Sequence, residues 1–467
     1  MNGQSPIFDS DILNGVTPPK PVTSQLSAEA MTRLSVFHGY IGVFIVAFLV
    51  TLLITPILRR LAIANGVIDH PDDPRKAHKL PVAYLGGVAI YLGLLAAFAF
   101  SYFAPQGLLD LHPSEIRQHA APFSVLLGMT LIMFVGLLDD MVGISPRIKI
   151  SGQLLAAAAL AMDDFGVKVA AGVLTPLAHL LHLNEHLLFT INLPFTVPLF
   201  GTHLQIDVIY WVGTAIIAVF ILGACNASNL MDGLDGLLTG VTTISISALL
   251  LIALGLAVAS DGPLDGARVM LCLAVLGACL GFLPHNFRPA TIFLGDSGSM
   301  LLGFMTVVVI LSLGDTGKTP LVVAGLLIYA LPIIDTTLAI VRRKMAGKPM
   351  SEPDDQHIHH LLKRSLGETR AVFVLYGIAA VFGALGVYVS IGRARVSYAI
   401  AMVLAAFIGV TAVKIARFKI FEQQAKAIAD ARSKMRTKST LPPRALPARG
   451  ESKPSVENPT TTQTISP

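Results

Sequence analysis

The amino-acid sequence predicts an all-α, polytopic integral membrane protein with about eleven transmembrane helices. Its 467 residues are 54% hydrophobic and only 13% charged, whereas a soluble domain carries roughly 25% charged residues. Mean hydropathy is +0.69, and long apolar runs recur along most of the chain. Because charged side chains are costly in hydrocarbon, this composition favours a chain that crosses a bilayer many times.

The order of the predicted elements follows from apolar windows of about 20 residues, the length that crosses a bilayer. Residues 1–35 form a polar, flexible tail without the features of a signal peptide, so we expect the first span to be retained. Residues 36–420 form the transmembrane domain. Residues 421–467 begin as a charged helix and continue as a disordered tail rich in Pro, Ser and Thr. The spans are predicted at about 37–57, 83–104, 121–138, 150–163, 208–226, 237–259, 267–284, 300–314, 320–341, 371–391 and 396–416.

Lys and Arg residues are concentrated in the odd-numbered gaps between these spans. The ninth gap alone carries seven of them. The positive-inside rule therefore places the odd gaps and the C-terminus in the cytoplasm and the N-terminus outside. The net charge of +5 reflects this bias, and we expect no nucleic-acid partner.

The longest external segment, residues 164–207, contains alternating apolar and polar stretches that predict a small hairpin lying on the membrane. His179, His182 and His186 have helical spacing within it, and we interpret them as surface or interfacial residues. The three cysteines of the chain lie in or beside apolar runs, which predicts buried thiols and no disulfide framework.

Nearly every polar residue with catalytic potential falls in the odd-numbered gaps, which predicts a single catalytic face on the cytoplasmic side. Asp139 and Asp140 end the third span. Adjacent carboxylates repel each other, and the carboxyl end of a helix is itself partly negative. A bound cation, or a proton to be accepted, would explain the pair. The alternative is a solvated helix end, which would be the better interpretation of a single Asp.

Asn226, Asn229 and Asp232 follow one another in steps of three at the end of the fifth span. Three residues turn a helix to within about 60° of a full circle, so these side chains share one wedge. Their oxygen atoms suit a hard cation such as Mg²⁺, and Asp235 is expected to point elsewhere. The alternative is a polar turn with Asn and Asp caps.

The segment 295–299, Gly-Asp-Ser-Gly-Ser, immediately precedes an apolar helix. Small residues allow the backbone to approach phosphate closely, with the positive end of the helix aimed at it. Asp296 is placed to hold a metal that bridges phosphate oxygens, although the Lys of a Walker loop is missing. The alternative is an N-cap in which Ser297 or Ser299 bonds the free amides.

The largest cytoplasmic loop contains His357, His359 and His360. Zinc is one alternative, but no Cys lies nearby and the His-Glu-x-x-His pattern is absent. Imidazoles close to Arg342 and Arg343 fit a polyphosphate pocket better. A loop His without a role is the remaining alternative for one of the three.

The first cytoplasmic loop carries Arg75, Lys76 and His78 beside the membrane. Anionic lipid headgroups would attract such side chains, and an acidic substrate would use them in the same way. Both interpretations stay open at this point.

Five motifs, in order and all on the predicted cytoplasmic side, resemble those of the polyprenyl-phosphate N-acetylhexosamine-1-phosphate transferases, glycosyltransferase family 4. The similarity runs from about residue 40 to 415 and excludes both tails. The His-Ile-His-His pattern is similar to the undecaprenyl-phosphate GlcNAc-1-phosphate transferases; the sister phospho-muramoyl-pentapeptide transferases usually carry consecutive histidines. The motifs are Arg75-Lys-Ala-His78 with Gly86-Gly87, Asp139-Asp140, Asn226-Ala-Ser-Asn-Leu-Met-Asp-Gly-Leu-Asp-Gly-Leu237, Phe293-Leu-Gly-Asp-Ser-Gly-Ser299 and Asp355-Gln-His-Ile-His-His-Leu361.

The resemblance implies transfer of GlcNAc-1-phosphate from UDP-GlcNAc to undecaprenyl phosphate with release of UMP, the first membrane step of cell-surface glycan synthesis. It also implies a Mg²⁺ cofactor, with Mn²⁺ as a substitute, and raises a homodimer as an expectation. By the same resemblance, Asp296 and Asn229 would hold the metal. Asp139, together with Asp140, would position or deprotonate the lipid phosphate.

The remaining roles implied by the resemblance concern the substrates. Asp232 and Asp235 would shape the nucleotide or metal region. The residues expected to contact the donor or the acceptor phosphate are Lys76, His78, Asn226, Arg342, Arg343, His357, His359 and His360.

Two other interpretations are kept. Within the same chemistry, the donor would be UDP-GalNAc, another modified hexosamine or UDP-MurNAc-pentapeptide. From another class, a secondary transporter would place ionisable residues near the bilayer midplane and would carry internal repeats. Here the acidic residues lie at the ends of spans and the two halves of the chain show no repeat, which favours the enzyme.

Overall fold

The computed structural model describes residues 22–69, 81–103, 121–164, 167–181, 188–197, 201–259, 261–262, 264–345, 347 and 356–439. These residues form a bundle of helices with two small two-stranded sheets, which confirms the predicted all-α, polytopic class. The helices are α1 (Val22–Ala64), α2 (Gly86–Phe103), α3 (Phe123–Val142), α4 (Pro146–Met162), α5 (Val167–Leu180), α6 (Val208–Met231), α7 (Leu237–Ala259), α8 (Asp265–Asn286), α9 (Gly295–Ser312), α10 (Thr319–Ile328), α11 (Ala330–Met345), α12 (Ile358–Leu366), α13 (Glu368–Ile391) and α14 (Ala394–Ser439). The strands are β1 (Ile68–Asp69), β2 (Val82–Ala83), β3 (Leu188–Val197) and β4 (Gly201–Asp207).

Ten of the eleven predicted spans each overlap one helix of the described chain, and the span at 320–341 overlaps two. Nine of the described helices are long and apolar enough to cross a membrane. The span predicted at 320–341 is broken into α10 and α11, which meet at a bend of 76°. The fourth predicted span corresponds to α4, whose 17 residues are at the short end of what a bilayer requires. The described spans therefore number nine, or ten if the bent pair counts as one.

The outer faces of the spanning helices are apolar. Leu53, Val219 and Val381, on three different helices, are 65%, 65% and 67% exposed. Apolar surface of this extent is rare on a soluble monomer, but in a bilayer it contacts lipid tails, where exposed polar groups would be costly. The chain is a multi-pass membrane protein.

Helix α9 lies at the centre of the bundle. Every residue from Ser297 to Ser312 is buried, and the helix packs against α2, α3, α6, α7, α8 and α10. A helix that is apolar on all sides is suited to such a central position. Its amino end, which carries Asp296, therefore has a position set by the helices around it.

Two glycines allow α2 and α3 to approach the first turn of α9. A Cβ on Gly87 would lie 2.1 Å from the backbone N of Gly298, and one on Gly136 would lie 2.4 Å from the Cα of Ser297. The amides of Gly86 and Gly87 also donate to carbonyls of the segment that precedes α9. The Gly-Gly pair of the first motif thus serves close packing at this helix end.

The carboxyl end of α9 is bound by Arg268 of α8, whose side chain is fully buried. Its Nε donates to the carbonyl of Ser312 at 2.8 Å. Its Nη1 lies 2.7 Å from a carboxylate oxygen of Asp265 and 3.3 Å from one of Asp261. A buried guanidinium requires such pairing to offset its lost hydration.

The hairpin predicted within residues 164–207 is present. Strands β3 and β4 pair antiparallel, with an irregularity of register towards the turn. The segment also contains α5, a short apolar helix that the sequence argument does not predict. His179 lies in the last turn of α5, whereas His182 and His186 fall outside the described residues.

The chain divides into two compact units, residues 1–413 and 414–467. The described part of the second unit is helical as far as Ser439, where the sequence predicts a charged helix. Residues 22–35, predicted as part of a flexible tail, are instead helical and form the start of α1, whereas residues 1–21 and 440–467 lie outside the described residues. Cys225, Cys272 and Cys279 are buried and unpaired, as predicted.

Candidate active site

Asp140, in the last turn of α3, binds the first turn of α9. Its carboxylate accepts the backbone N–H of Asp296 at 2.6 Å, the backbone N–H of Ser297 at 3.0 Å and the hydroxyl of Ser297 at 2.7 Å. Amides at a helix start lack partners within the helix, and the dipole favours a negative group there. Asp140 therefore caps α9 from a neighbouring helix. Two of the amides offered to phosphate by the sequence argument are thus occupied, and neither Ser297 nor Ser299 supplies the cap.

Gly295 makes this cap possible. Its φ of +69° lies in the left-handed region, which favours glycine. A Cβ at this position would lie 2.5 Å from a carboxylate oxygen of Asp140. Both the backbone conformation and the close approach require the absence of a side chain.

Lys149, in the first turn of α4, pairs with the carboxylates of Asp139 and Asp296. Its Nζ lies 2.5 Å from Oδ2 of Asp139 and also pairs with Asp296. The other oxygen of Asp139 accepts the backbone N–H of Ile144 at 2.8 Å. The sequence argument explains the Asp139–Asp140 pair by a bound cation or an accepted proton. In the structure, the ammonium group of Lys149 is the cation beside Asp139.

Asp296, the carboxylate predicted to hold a divalent cation, pairs with the same ammonium group as Asp139. Asp139 and Asp296 converge on one positive charge, and Mg²⁺ is usually held by one or two carboxylates together with water and substrate phosphates. Among the described residues, no group of three or more His, Cys, Asp and Glu side chains forms a self-contained metal site. The oxygen atom donors at Asp296 are of the kind that a substrate-bound Mg²⁺ uses. Asn229 is half-buried on α6, and its role as a ligand stays a prediction.

Asp232 lies where α6 ends. Its backbone N–H closes the last turn of that helix on the carbonyls of Ser228 and Asn229. Burial, followed by the nearby negative charges of Asp296 and Asp140, raises the pKa of Asp232 to about 8. A carboxyl group in this environment retains a proton at neutral pH unless a cation approaches it.

Asn226 and Asp235 have different partners. Asn226 donates to Oε1 of Gln153, a fully buried residue of α4, at 2.9 Å. Asp235 accepts the backbone N–H of Ala290 at 3.1 Å, in the loop that leads to α9. The orientation of Asp235 relative to the wedge of the other three stays a prediction.

The three predicted histidines gather at the start of α12, around Asp335 of α11. Nδ1 of His357 lies 3.0 Å from Oδ2 of Asp335, and the backbone N–H of Ile358 donates to Oδ1 at 2.9 Å. The rings of His357 and His359 stack with centroids 5.5 Å apart, and those of His359 and His360 are 4.2 Å apart. The last motif of the sequence therefore forms one compact imidazole cluster.

This cluster touches the turn that follows α6. A Cβ on Gly233 would lie 2.3 Å from Nε2 of His359, so the imidazoles lie beside the Asp232 turn. Arg342 and Arg343 are buried further along α11, and within the described part of the chain Nε of Arg343 has no hydrogen-bond partner. The structure thus brings the imidazoles to the turn after α6 and places both predicted arginines on the helix that binds the imidazole cluster.

Three residues of the site escape the sequence argument: Lys149, Gln153 and Asp335. The positive-inside argument treats Lys149 only as a marker of topology. Asp335 interrupts an apolar span, and an ionisable residue within a span is by default a functional candidate, so a usable signal was present. For Gln153 the signal is weaker, because a single amide in a span carries no charge.

Lys76 and His78 lie outside the described residues, and their roles stay predictions. The strands that flank this segment, β1 and β2, pair antiparallel. Ala83 of β2 also bridges Ile292, three residues before α9. Strand β2 therefore lies beside the segment that leads into α9.

Comparison with known proteins gives a consistent result. The sequence model described as glycosyl transferase family 4 matches residues 122–314. A probable undecaprenyl-phosphate N-acetylglucosaminyl 1-phosphate transferase of Bacillus subtilis (strain 168) is 31% identical over 374 residues, which cover 79% of this chain and 90% of that protein. A decaprenyl-phosphate N-acetylglucosaminephosphotransferase of Mycolicibacterium smegmatis is 32% identical over 77% of this chain and 85% of its own length. An undecaprenyl-phosphate alpha-N-acetylglucosaminyl 1-phosphate transferase of Escherichia coli (strain K12) is 31% identical over 71% and 79%.

Proposed function

The chain belongs to glycosyl transferase family 4, and we propose that it transfers N-acetylglucosamine-1-phosphate from UDP-GlcNAc to undecaprenyl phosphate. The products are UMP and undecaprenyl-diphosphate-GlcNAc. The relatives act on undecaprenyl or decaprenyl phosphate according to their names, which supports a polyprenyl phosphate acceptor. Their names also support N-acetylglucosamine as the transferred sugar.

The observation that carries the proposal is the assembly of Asp139, Lys149 and Asp296 at the buried amino end of α9. Attack of one phosphate on another requires the negative charge of both to be neutralised, which a cation and basic side chains provide. A lipid phosphate approaches from the bilayer. A polar site built from the ends of membrane-spanning helices is therefore in reach of both the lipid headgroup and a soluble nucleotide.

The proposed reaction is a single displacement. An oxygen of the lipid phosphate bonds to the sugar-bearing phosphorus of the donor, and the bridging P–O bond to the uridine phosphate breaks, so that UMP leaves with its electron pair. A phosphate monoester is mostly ionised at pH 7 because its second pKa is about 6, so the acceptor requires little help to lose a proton. Asp139 is already bound to Lys149 and to Ile144, which makes it a poor covalent nucleophile and a better positioning group.

The charges of the donor would be met from two sides. When bound, Mg²⁺ or Mn²⁺ would neutralise the donor pyrophosphate, and Asp296 with Asn229 are the proposed ligands. From the other side, Arg342, Arg343 and the imidazoles of α12 would contact donor phosphates or sugar. The active face would be the cytoplasmic one, because the nucleotide sugar is soluble and the Lys- and Arg-rich gaps lie there by the positive-inside rule.

UMP release by the purified protein in detergent tests this proposal. The assay contains undecaprenyl phosphate, Mg²⁺ and a panel of UDP-GlcNAc, UDP-GalNAc and UDP-MurNAc-pentapeptide, with and without EDTA. We expect release with UDP-GlcNAc that EDTA abolishes. Release with a different donor would retain the chemistry and change the pathway. Movement of a nucleotide sugar across liposomes without UMP formation would instead support the transporter.

A further inference from the structure

Asp335 is a buried carboxylate within the second half of the bent span. It is 2% exposed, and a carboxylate in an apolar helix is costly unless it is paired and hydrogen-bonded. Both of its oxygens are used, one by Nδ1 of His357 and one by the backbone N–H of Ile358. Both partners belong to the start of α12. One side chain of α11 thus fixes the position of this helix and the orientation of its first imidazole.

The start of α12 depends on this contact. The helix has only nine residues, and no side chain of its own caps its N-terminus. A helix of this length is marginal in isolation. Asp335 supplies from outside the helix the acceptor that its first amide requires.

The contact also decides which imidazole nitrogen is available to a ligand. Because Nδ1 of His357 faces Asp335, Nε2 is the nitrogen left to face a ligand. The ring of His359 stacks on that of His357 at an angle of 15° and abuts Gly233. Nδ1 of His359 also lies 3.8 Å from Oδ2 of Asp335, so Asp335 lies beside both rings next to the Asp232 turn.

We propose that Asp335 is a positioning residue, which orients His357 and the start of α12 so that the imidazole cluster meets the phosphates of the nucleotide-sugar donor. Asp335 itself does not touch the substrate. The proposal rests on the proposed function, because the donor pyrophosphate is the ligand that it assigns to these imidazoles. An outer partner that fixes an imidazole is a recurrent way to hold a ligating nitrogen in register.

The first test is the Asp335→Asn variant, which preserves volume and removes the charge. We expect the KM for UDP-GlcNAc to rise by about 10- to 100-fold, as for a misplacement of a binding group, with the KM for undecaprenyl phosphate unchanged. Asp335→Glu should recover part of the loss. Thr336→Val is the matched control, because the neighbouring hydroxyl is buried without a hydrogen-bond partner, and it should behave as wild type.

The second test is a double-mutant cycle. If Asp335 acts in part through His357, the loss of kcat/KM in the Asp335→Asn, His357→Ala double variant should be smaller than the product of the two single losses, whereas independent roles would multiply. Hydrogen exchange supplies a readout that does not depend on activity. The amide of Ile358 should exchange about 10-fold faster in Asp335→Asn than in Thr336→Val.

The outcomes separate the two claims. Equal losses for both substrates, multiplicative effects in the cycle, or unchanged exchange at Ile358 would overturn the positioning role while wild-type turnover persists. If the Asn variant does not fold, the same three measurements are made on Asp335→Glu, for which we expect smaller changes in the same direction. A wild-type protein that releases no UMP from any donor would overturn the proposed function, and the exchange measurement would still decide whether Asp335 holds α12.

Discussion

At Lys149, one ammonium group stabilises two carboxylates that would otherwise repel each other. Asp139 and Asp296 come from α3 and α9, and Lys149 comes from α4. Removal of one partner from a partly buried ion pair leaves an uncompensated charge. Lys149 is therefore placed to hold the acidic pair together before substrate binds and to contact phosphate afterwards.

Replacement of Lys149 by Met retains an unbranched side chain and removes the charge. We expect kcat for UMP release to fall by about 100-fold, the effect typical of losing one group that stabilises developing charge. Arg147→Met is the matched control, because Arg147 is exposed two positions earlier on the same helix, and its activity should stay within about two-fold of wild type. Equal activity of the two variants would contradict a role for Lys149 in turnover.

Asp296→Asn tests the proposed cation ligand. We expect turnover to fall by about 100- to 1,000-fold while the protein remains folded, because the amide keeps the size of the side chain and loses its charge. Thermal unfolding in detergent checks the fold, and UMP release checks activity across a range of Mg²⁺ concentrations. Asp163→Asn is the control, since Asp163 bonds the amide of Ser124 away from the site. Wild-type turnover by Asp296→Asn would refute the metal role.

At the scale of elements, the helices around the amino end of α9 can approach it closely because they carry glycine, without a side chain, at the contact. Gly87 and Gly136 leave room for the backbone of the first turn, and Asp140 fills the remaining space with hydrogen-bond acceptors. The spacing of motifs along the sequence does not reveal this arrangement, because α2, α3 and α9 are far apart in the chain.

Gly136→Ala should separate α3 from α9. The new methyl group would lie 2.4 Å from the Cα of Ser297, and we expect a loss of about 1–3 kcal/mol in the free energy of unfolding, typical of overpacking. UMP release should fall as well, because Asp139 and Asp140 shift with α3. Gly223→Ala is the control, since nothing lies within 4 Å of its added Cβ and alanine favours a helix by roughly 1 kcal/mol. Thermal unfolding of both variants in one detergent makes the comparison, and equal melting temperatures would refute the packing role.

Hydropathy predicts the apolar run that contains α10 and α11 but does not predict the bend between them. The apolar run from 320 to 341 predicts one span, and the structure bends it by 76° at Tyr329. Pro332 lies just beyond and has no N–H to continue the helical ladder. The bend redirects the half that carries Asp335. A proline in an apolar run predicts some irregularity, but its angle depends on the helices packed against it.

For the whole molecule, the sequence predicts the membrane class and the positions of most apolar helices, because hydrocarbon imposes a long apolar run on each crossing. It also singles out Asp139, Asp140, Asp232 and Asp296, since charges at span ends are conspicuous. It does not reveal their partners. Lys149 and Asp296 are separated by 147 positions in the chain, and no periodicity of the sequence records such a contact.

The predicted topology can be checked by cysteine labelling, because the three native cysteines are buried. Ser365→Cys on α12 and Leu181→Cys after α5 both introduce exposed positions. In spheroplasts, a membrane-impermeant maleimide should modify Leu181→Cys directly and Ser365→Cys only after the membrane is opened. The reverse pattern would invert the topology and move the proposed active face outside.

Helix α9 is bound by Asp140 at one end and by Arg268 at the other. Movement of α9 along its axis would break a charge-assisted contact at one of its ends. Breaking a buried charge pair by removal of one partner costs about 3–5 kcal/mol. We therefore expect α9 to keep its position along its own axis during turnover, so that Asp296 stays at a fixed depth relative to the helices around it.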